Sequence, residues 1–566
     1  MIRPAFAPSA LRRGRLLAAL FALVAGAIVS AADAPAPQFT DVTAKANVAF
    51  THVNGASPEK HLPETMGSGG AFVDLDSDGW PDLVLVDGGS IADPQVARRA
   101  QPRVLRNKRD GTFEDVTARS GIRQHDYGMG VCAGDYDHDG HIDLYVTSVG
   151  RNVLYKNHGD FTFSDVTATA GVAGGGWSTS CAFADLDGDG DLDLFVTRYV
   201  DVSRAEPFCG DERAKRRAYC HPLALPPMSN LVFRNDGNGH FTDVSEPSGI
   251  AKFKSNGLGV VISDLDGNGF PDIFVANDSL PNFLFVNEGG WRFTEAALQS
   301  GVSVADDGKA RAGMGVDTGD YDGDGLLDLI VTNLDFETTS LFRNLGKHLF
   351  AYATRESGIG APTRPYVGFG ALLFDYDNDT RLDVAIVNGH VMDNTALFRQ
   401  GSTHAQPNLL LHNEDGRHFR PGALGNAPDK VSRGLAAADY DNDGDLDLLV
   451  TNNGDRVDLL RNDGGNARNA LLIQLVAQKS APNGIGARVV AMVGSRALLR
   501  EVKAGSSYLS QSDTRVHLGL DRAAAVDRLE VRWPAGTTEV FTNVAANQIL
   551  TVREGDGIVA RKPLNR

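Results

Sequence analysis

Cysteine is scarce in this chain, with four residues among 566. That excludes a disulfide-built scaffold, and the absence of any Cys-x-x-Cys pair excludes a thiolate zinc or dithiol redox motif. Basic charge is also in deficit: 54 Lys and Arg stand against 72 Asp and Glu, for a formal net charge of −18. No sustained basic face is left for a phosphate backbone, so nucleic acid is excluded as a partner. The sequence contains no His-Glu-x-x-His and no Gly-x-Ser-x-Gly, which removes the zinc-protease helix and the hydrolase nucleophile turn. Amphipathic helical periodicity is nearly absent, so an all-β fold is expected.

What the chain has instead is one acidic nonapeptide, Asp-x-Asp-x-Asp-Gly-x-x-Asp, in seven copies. They begin at Asp74, Asp135, Asp185, Asp264, Asp320, Asp375 and Asp439. Third positions hold Asp76, Asp137, Asp187, Asp266, Asp322, Asp377 and Asp441. Fifth positions hold Asp78, Asp139, Asp189, Asn268, Asp324, Asp379 and Asp443, and ninth positions Asp82, Asp143, Asp193, Asp272, Asp328, Asp383 and Asp447. Oxygen ligands at alternate positions, with a glycine where the chain turns, suit a hard cation such as Ca²⁺. A single copy reads equally well as a solvated Asp/Gly turn, but repetition at a fixed period favours a metal loop. An EF-hand needs glutamate at position twelve; here stand Leu85, Val146, Val196, Val275, Val331, Ile386 and Val450, so EF-hands are excluded. The β-branched run after each loop makes it a strand-to-strand connection. Two copies depart from the pattern. Asn268 removes a charge, and Thr380 replaces the glycine, which predicts a strained loop.

Successive loops are 61, 50, 79, 56, 55 and 64 residues apart, the spacing of a propeller blade. Each interval also carries a glycine five residues before the first Asp (Ser180 in the third), a segment ending in Asn such as Val153 to Asn157, and a Phe-led segment such as Phe163 to Thr167. Four short strands per repeat make a blade. A Phe-led segment, Phe39 to Thr43, precedes the first loop, whereas none follows Asn462, so the N-terminal strand is expected to complete the last blade and leave no open edge. The expectation is a seven-bladed β-propeller over residues 38–465 with up to seven Ca²⁺, then a small, sandwich-like β domain over 466–556 and a tail over 557–566.

The glycine, acidic loop and apolar strand resemble the FG-GAP (VCBS) repeats of integrin alpha chains and of secreted bacterial proteins. Gly484 to Arg488, Gly505 to Ser512, Val531 to Gly536 and Asn543 to Gln548 resemble the ASPIC/UnbV domain of the cartilage acidic protein family. The resemblance implies an architecture, calcium loops and an extracytoplasmic setting. It implies no reaction, because one fold hosts many functions.

Residues 1–32 read as a secretion signal: Arg3, Arg12, Arg13 and Arg15, an apolar run from Leu16 to Val29, then Ser30, Ala31 and Ala32. The run falls short of the ~20 residues that span a bilayer, so no membrane anchor is expected after cleavage, and the chain is placed in the periplasm, at the cell surface or in the medium. Cys209 and Cys220 lie in the insertion behind the 79-residue interval and are expected to form a disulfide. Cys132 and Cys181 bridge neighbouring inner strands or remain buried thiols. The basic cluster from Arg213 to Arg217 reads as a solvated loop or as an anionic glycan or membrane contact.

Outside the loops, His61 and Glu64, then Gln124, His125 and Asp126, then Asn388, His390 and Asp393 stand at the ends of inner strands. They are either ordinary polar loop residues or a convergent ligand or metal site at the channel mouth. Two functions follow. One is a secreted, non-enzymatic propeller with structural calcium that binds an extracytoplasmic protein or glycan through its loop face; its site residues are the loop carboxylates, and no residue is catalytic. The other is a carbohydrate-active lyase or dehydratase that uses His61, His125 or His390.

Overall fold

A computed structural model describes residues 37–97, 100–123, 126–203, 206–397, 401–425 and 427–566; the leader expected over 1–32 lies outside them. Among the described residues the repeats form seven four-stranded antiparallel sheets. Their first strands, Gly70–Val73, Tyr127–Gly134, Ser178–Ala184, Gly257–Ser263, Val316–Gly319, Gly368–Phe374 and Ser432–Ala438, pack side by side in that circular order around an axis. In the second sheet Gly134 pairs with Asp143 across the acidic loop, Leu144 with Tyr155, and Asn157 with Phe163. Alternate side chains of one strand serve two cores, as a strand's period of two requires: Leu144 and Val146 pack with Val84 of the preceding sheet, and Tyr145 with Phe183 of the next.

The ring closes through the N-terminal strand. Gln38–Asp41 pairs with Asp458–Asp463, setting Phe39 opposite Asn462. The asparagine ending each third strand adds a second closure. Asn157 Nδ2 donates to the carbonyl of Ile142 at 3.0 Å in its own loop and to that of Leu75 at 2.9 Å in the preceding one. Asn235, Asn287, Asn344, Asn413 and Asn462 repeat this bond, and Asn107 completes the circle onto Tyr440 at 2.8 Å.

The C-terminal region forms two four-stranded sheets enclosing Leu471, Val489, Leu529 and Leu550. The sheet runs past residue 556, where the domain was expected to end. Gly557–Pro563 pairs with Gln548–Arg553, and Ile558 packs on the core. Exposed Arg561 and Lys562 mark it as a charged edge strand, which in sequence reads as a solvated tail. Both cysteine pairs are disulfides: Cys209–Cys220, and Cys132–Cys181, which joins the inner strands of the second and third sheets. No helix among the described residues is long and apolar enough to cross a membrane.

Candidate functional site

Each acidic loop is shaped by its own carboxylates. In the first, Asp74 accepts the N–H groups of Asp78 at 3.0 Å and Gly79 at 2.8 Å, and Asp78 accepts that of Trp80 at 2.9 Å. Asp82, at position nine, is buried and accepts Leu75 N–H at 2.9 Å and Asn107 N–H at 2.7 Å, tying the loop to the third strand. Position six is left-handed throughout, at φ 88° for Gly140 and 83° for Thr380, so the sixth loop carries the strain expected of a β-branched residue. Position four is left-handed too, without a residue type that announces it: Ser77, His138, Asn378 and Asn442 lie at φ 56–58° where the other loops have glycine.

Four of the seven third-position carboxylates stand out. One oxygen of each of Asp76, Asp137, Asp377 and Asp441 is buried with no hydrogen-bond partner. Ligand atoms of Asp74, Asp76 and Asp78, of Asp135, Asp137 and Asp143, and of Asp185, Asp187 and Asp193 lie within 4.8 Å of one another. In the fourth and sixth loops histidine joins the cluster: His348 stands 2.9 Å from Asp266, and His412 3.1 Å from Asp383. Burial, reinforced by the neighbouring carboxylates, pushes Asp82, Asp143 and Asp272 up to about 8. Some charge is offset internally, by Arg106 on Asp76 at 3.4 Å and by Lys156 on Asp137. A hard cation fits this donor set, which is all oxygen in the first three loops and leaves buried oxygens without a proton donor.

The loop face is not free. The C-terminal domain sits on it: Arg515 donates to the Asp439 carbonyl at 2.7 Å, Asp521 N–H to that of Asn378 at 2.8 Å, and Arg468 to that of Asp377 at 2.8 Å. From this domain the segment Ala504 to Asp513 enters the propeller axis. Its backbone bonds to Phe183, Val316, Val131, Phe72 and Ala437, on the inner strands of five sheets. The Gln511 side chain both accepts from Ala133 N–H, at 2.8 Å, and donates to its carbonyl, at 3.2 Å. The recurring inner-strand glycines make room: a Cβ on Gly69 would lie 1.6 Å from the Leu509 carbonyl oxygen. Where the third repeat has serine, Ser180 Oγ accepts Leu509 N–H at 3.1 Å. Tyr508 is fully buried at the tip.

Beyond Tyr508, at the opposite mouth, a cavity of about 240 Å³ remains. One wall is the cysteine insertion, through Tyr219, Cys220, His221 and Pro222; the others include Leu62, Met66, Tyr199, Asp278, Met314, Phe369 and His390. Of the residues expected to converge, His390 lines the cavity, with Asp335 3.8 Å from its ring. Glu64 stands behind the wall, accepting from Tyr219 OH at 3.2 Å and from Ser57 N–H at 3.1 Å. His61 faces Glu206 at 3.7 Å, and Asp393 pairs with Lys60 nearby. Asn388 is elsewhere, buried in its strand with its amide on the Pro407 carbonyl, and Asp126 accepts Arg151 N–H in the second sheet. Gln124 and His125 lie outside the described residues. Arg217 of the basic cluster donates to the Glu59 carbonyl at 2.7 Å, bracing the insertion. The sequence reading missed Tyr199, Asp278 and Met314, which different sheets bring to this cavity.

Models of two families match the chain: the FG-GAP-like repeat over residues 74–146, 137–196, 223–275, 264–331 and 320–386, and ASPIC and UnbV over 477–559. Cartilage acidic protein 1 of Xenopus tropicalis is 30% identical over 322 residues, and that of Homo sapiens 29% over 322 residues, each match covering 55% of this chain and 46% of the relative. The chain thus spans about half the length of the curated relatives it matches. A solved Agrocybe aegerita lectin, described by its specific recognition of non-reducing terminal N-acetylglucosamine, aligns with 69% of this chain and 87% of its own at 15% identity and a TM-score of 0.38. That likeness is too remote to bear on ligand or reaction.

Proposed function

We propose that this chain, which belongs to the FG-GAP-like repeat family and carries an ASPIC and UnbV domain, is an exported binding protein whose propeller is held by structural calcium and which performs no catalysis. The observation that carries the reading is the buried, unbonded oxygen of Asp76, Asp137, Asp377 and Asp441, each in a loop with further carboxylates. All 27 loop aspartates and Asn268 are the proposed ligand set, joined by position-seven carbonyls such as those of His141 and Asp191. When bound, the ion supplies charge and oxygen coordination. At millimolar calcium and the ~10⁻⁴ to 10⁻³ M affinities of extracellular modules, each filled loop adds about 0.4 to 1.4 kcal/mol of stability.

Because the C-terminal domain covers much of the loop face, the partner-binding surface is assigned to the opposite mouth, with its cysteine insertion. The partner is an extracytoplasmic protein or glycan. The two disulfides and the kinship with cartilage acidic protein 1 support an extracellular setting. Calcium titration of the Asp137→Ala and Asp322→Ala variants tests the ligand set: each loses about one ion and melts earlier. Unchanged stoichiometry refutes the assignment for that loop. Release of an unsaturated product from uronic-acid polysaccharides, abolished by His390→Ala, would instead make the chain a lyase.

A further inference from the structure

Asp278 lies just beyond the strand Asp272–Asn277, on the cavity wall at the open mouth. Its backbone is fixed, N–H to the Asn256 carbonyl at 2.9 Å and carbonyl to Asn256 Nδ2 at 3.0 Å. Its side chain is buried and accepts only hydroxyls: Tyr199 OH on Oδ2 at 2.5 Å and Ser279 Oγ on Oδ1 at 2.8 Å. Among the described residues no Lys or Arg forms an ion pair with it. Hydroxyls solvate a carboxylate without neutralising it, and a buried charge lacking a counter-ion is costly.

The one basic side chain whose charge acts on Asp278 is His221 on the cavity wall, an imidazole that makes no ion pair with it among the described residues. Arg433, the buried guanidinium beneath the cavity, is committed to the carbonyls of Thr65, Gly389 and Ser432, each at 2.8 Å, and to the face of Phe369 at 3.8 Å. Glu64 and Asp335 add negative charge behind the wall. His221, His390, Thr65 and Thr395 also line the cavity, while Met66, Met314 and Phe369 supply an apolar part of the wall, where methionine adapts to irregular shapes. Tyr199 and Tyr219 bring aromatic rings to the same wall, and Lys60 Nζ already stands 5.0 Å from the Tyr219 ring centre at the rim. The volume lies below the ~300–1,000 Å³ of sites for drug-sized ligands, so the occupant is small.

We propose that this cavity binds a small organic amine, its ammonium group on Asp278 and its apolar body on Met66, Met314 and Phe369. The inference rests on the reading that the mouth away from the C-terminal domain is the binding face. Burial raises the pKa of Asp278, and a bound ammonium would relieve that penalty.

Three probes of similar size test it: phenethylamine, phenethyl alcohol and phenylacetate, each titrated by calorimetry into the calcium-loaded full chain. Fluorescence of Trp177, whose ring packs edge-on to Tyr199 with centres 4.9 Å apart, is followed in parallel. The amine should bind about tenfold or more tighter than the alcohol, and phenylacetate not at all. Asp278→Asn, which keeps an acceptor for Tyr199, should erase the preference. Equal binding of amine and alcohol, absence of amine binding, or an unchanged preference in a folded Asp278→Asn variant overturns the proposal. The wild-type comparison decides even if that variant misfolds. Binding of the probes without a preference for the amine would fault this inference alone, whereas no binding and no fluorescence response to any of the three would also count against this mouth as the binding face.

Discussion

Truncating Tyr508 should unseat the C-terminal segment from the propeller axis. The ring is fully buried among Met129, Trp177, Leu258 and Met314, stands edge-on to Phe369 with centres 4.9 Å apart, and its hydroxyl donates to the Met66 carbonyl at 3.1 Å. Removing a buried aromatic side chain costs about 3–5 kcal/mol through lost transfer and the cavity left behind. Tyr508→Phe retains the ring and loses only the hydrogen bond, worth about 1 kcal/mol. Denaturant unfolding in saturating calcium, with midpoints compared at equal slope, should therefore rank Tyr508→Ala far below Tyr508→Phe. An alanine variant within about 1 kcal/mol of wild type would refute the reasoning, since the axis would then hold together without the segment. A phenylalanine variant as damaged as the alanine one would shift the effect from packing to the Met66 bond.

Thr380→Gly should stabilise the chain by about 1 kcal/mol: relief of a left-handed β-branched residue, about 1–2 kcal/mol, outweighs the exposed hydrogen bond from Arg496. A lower denaturant midpoint would show that the loop uses Thr380 otherwise. In chelator the sign of the pH dependence is set by Asp82, Asp143 and Asp272, raised from 3.8 to about 8 by burial. Between those values the native state holds more protons than the unfolded chain, so stability should fall as pH rises from about 4 to 8. With calcium the ion displaces those protons and the fall should flatten or reverse; identical profiles with and without calcium would contradict metal binding at these carboxylates.

The repeats were legible because their chemistry is local. A nine-residue carboxylate pattern, an apolar strand behind it and a Phe-led segment displaced to the N-terminus suffice to read the sheets and their closure by Gln38–Asp41. Left-handed position four is masked in sequence because four residue types, Ser, His, Gly and Asn, satisfy it and no single type recurs as a marker. The strand-ending asparagines were visible as a motif, but their bond to the preceding sheet appears only when sheets are set side by side. The same holds for the axis. Gln511 meets Ala71 across 440 residues of sequence, and no pattern in Gly505 to Ser512 says that it threads a ring. The strand Gly557–Pro563 was hidden by the charges that protect its edge. The cavity draws Tyr199, Asp278, Met314 and His390 from separate repeats, and of these only the histidine stands out by its chemistry in the sequence alone.

The most direct test of the account is the elemental metal content of the purified chain, before and after chelation, with thermal melting followed alongside. Close to one calcium ion per acidic loop, and a melting temperature that collapses when calcium is stripped, is the predicted result. A chain free of calcium that melts the same with and without chelator would contradict it, as would a tightly held transition metal that survives exchange against calcium and points to the histidines instead.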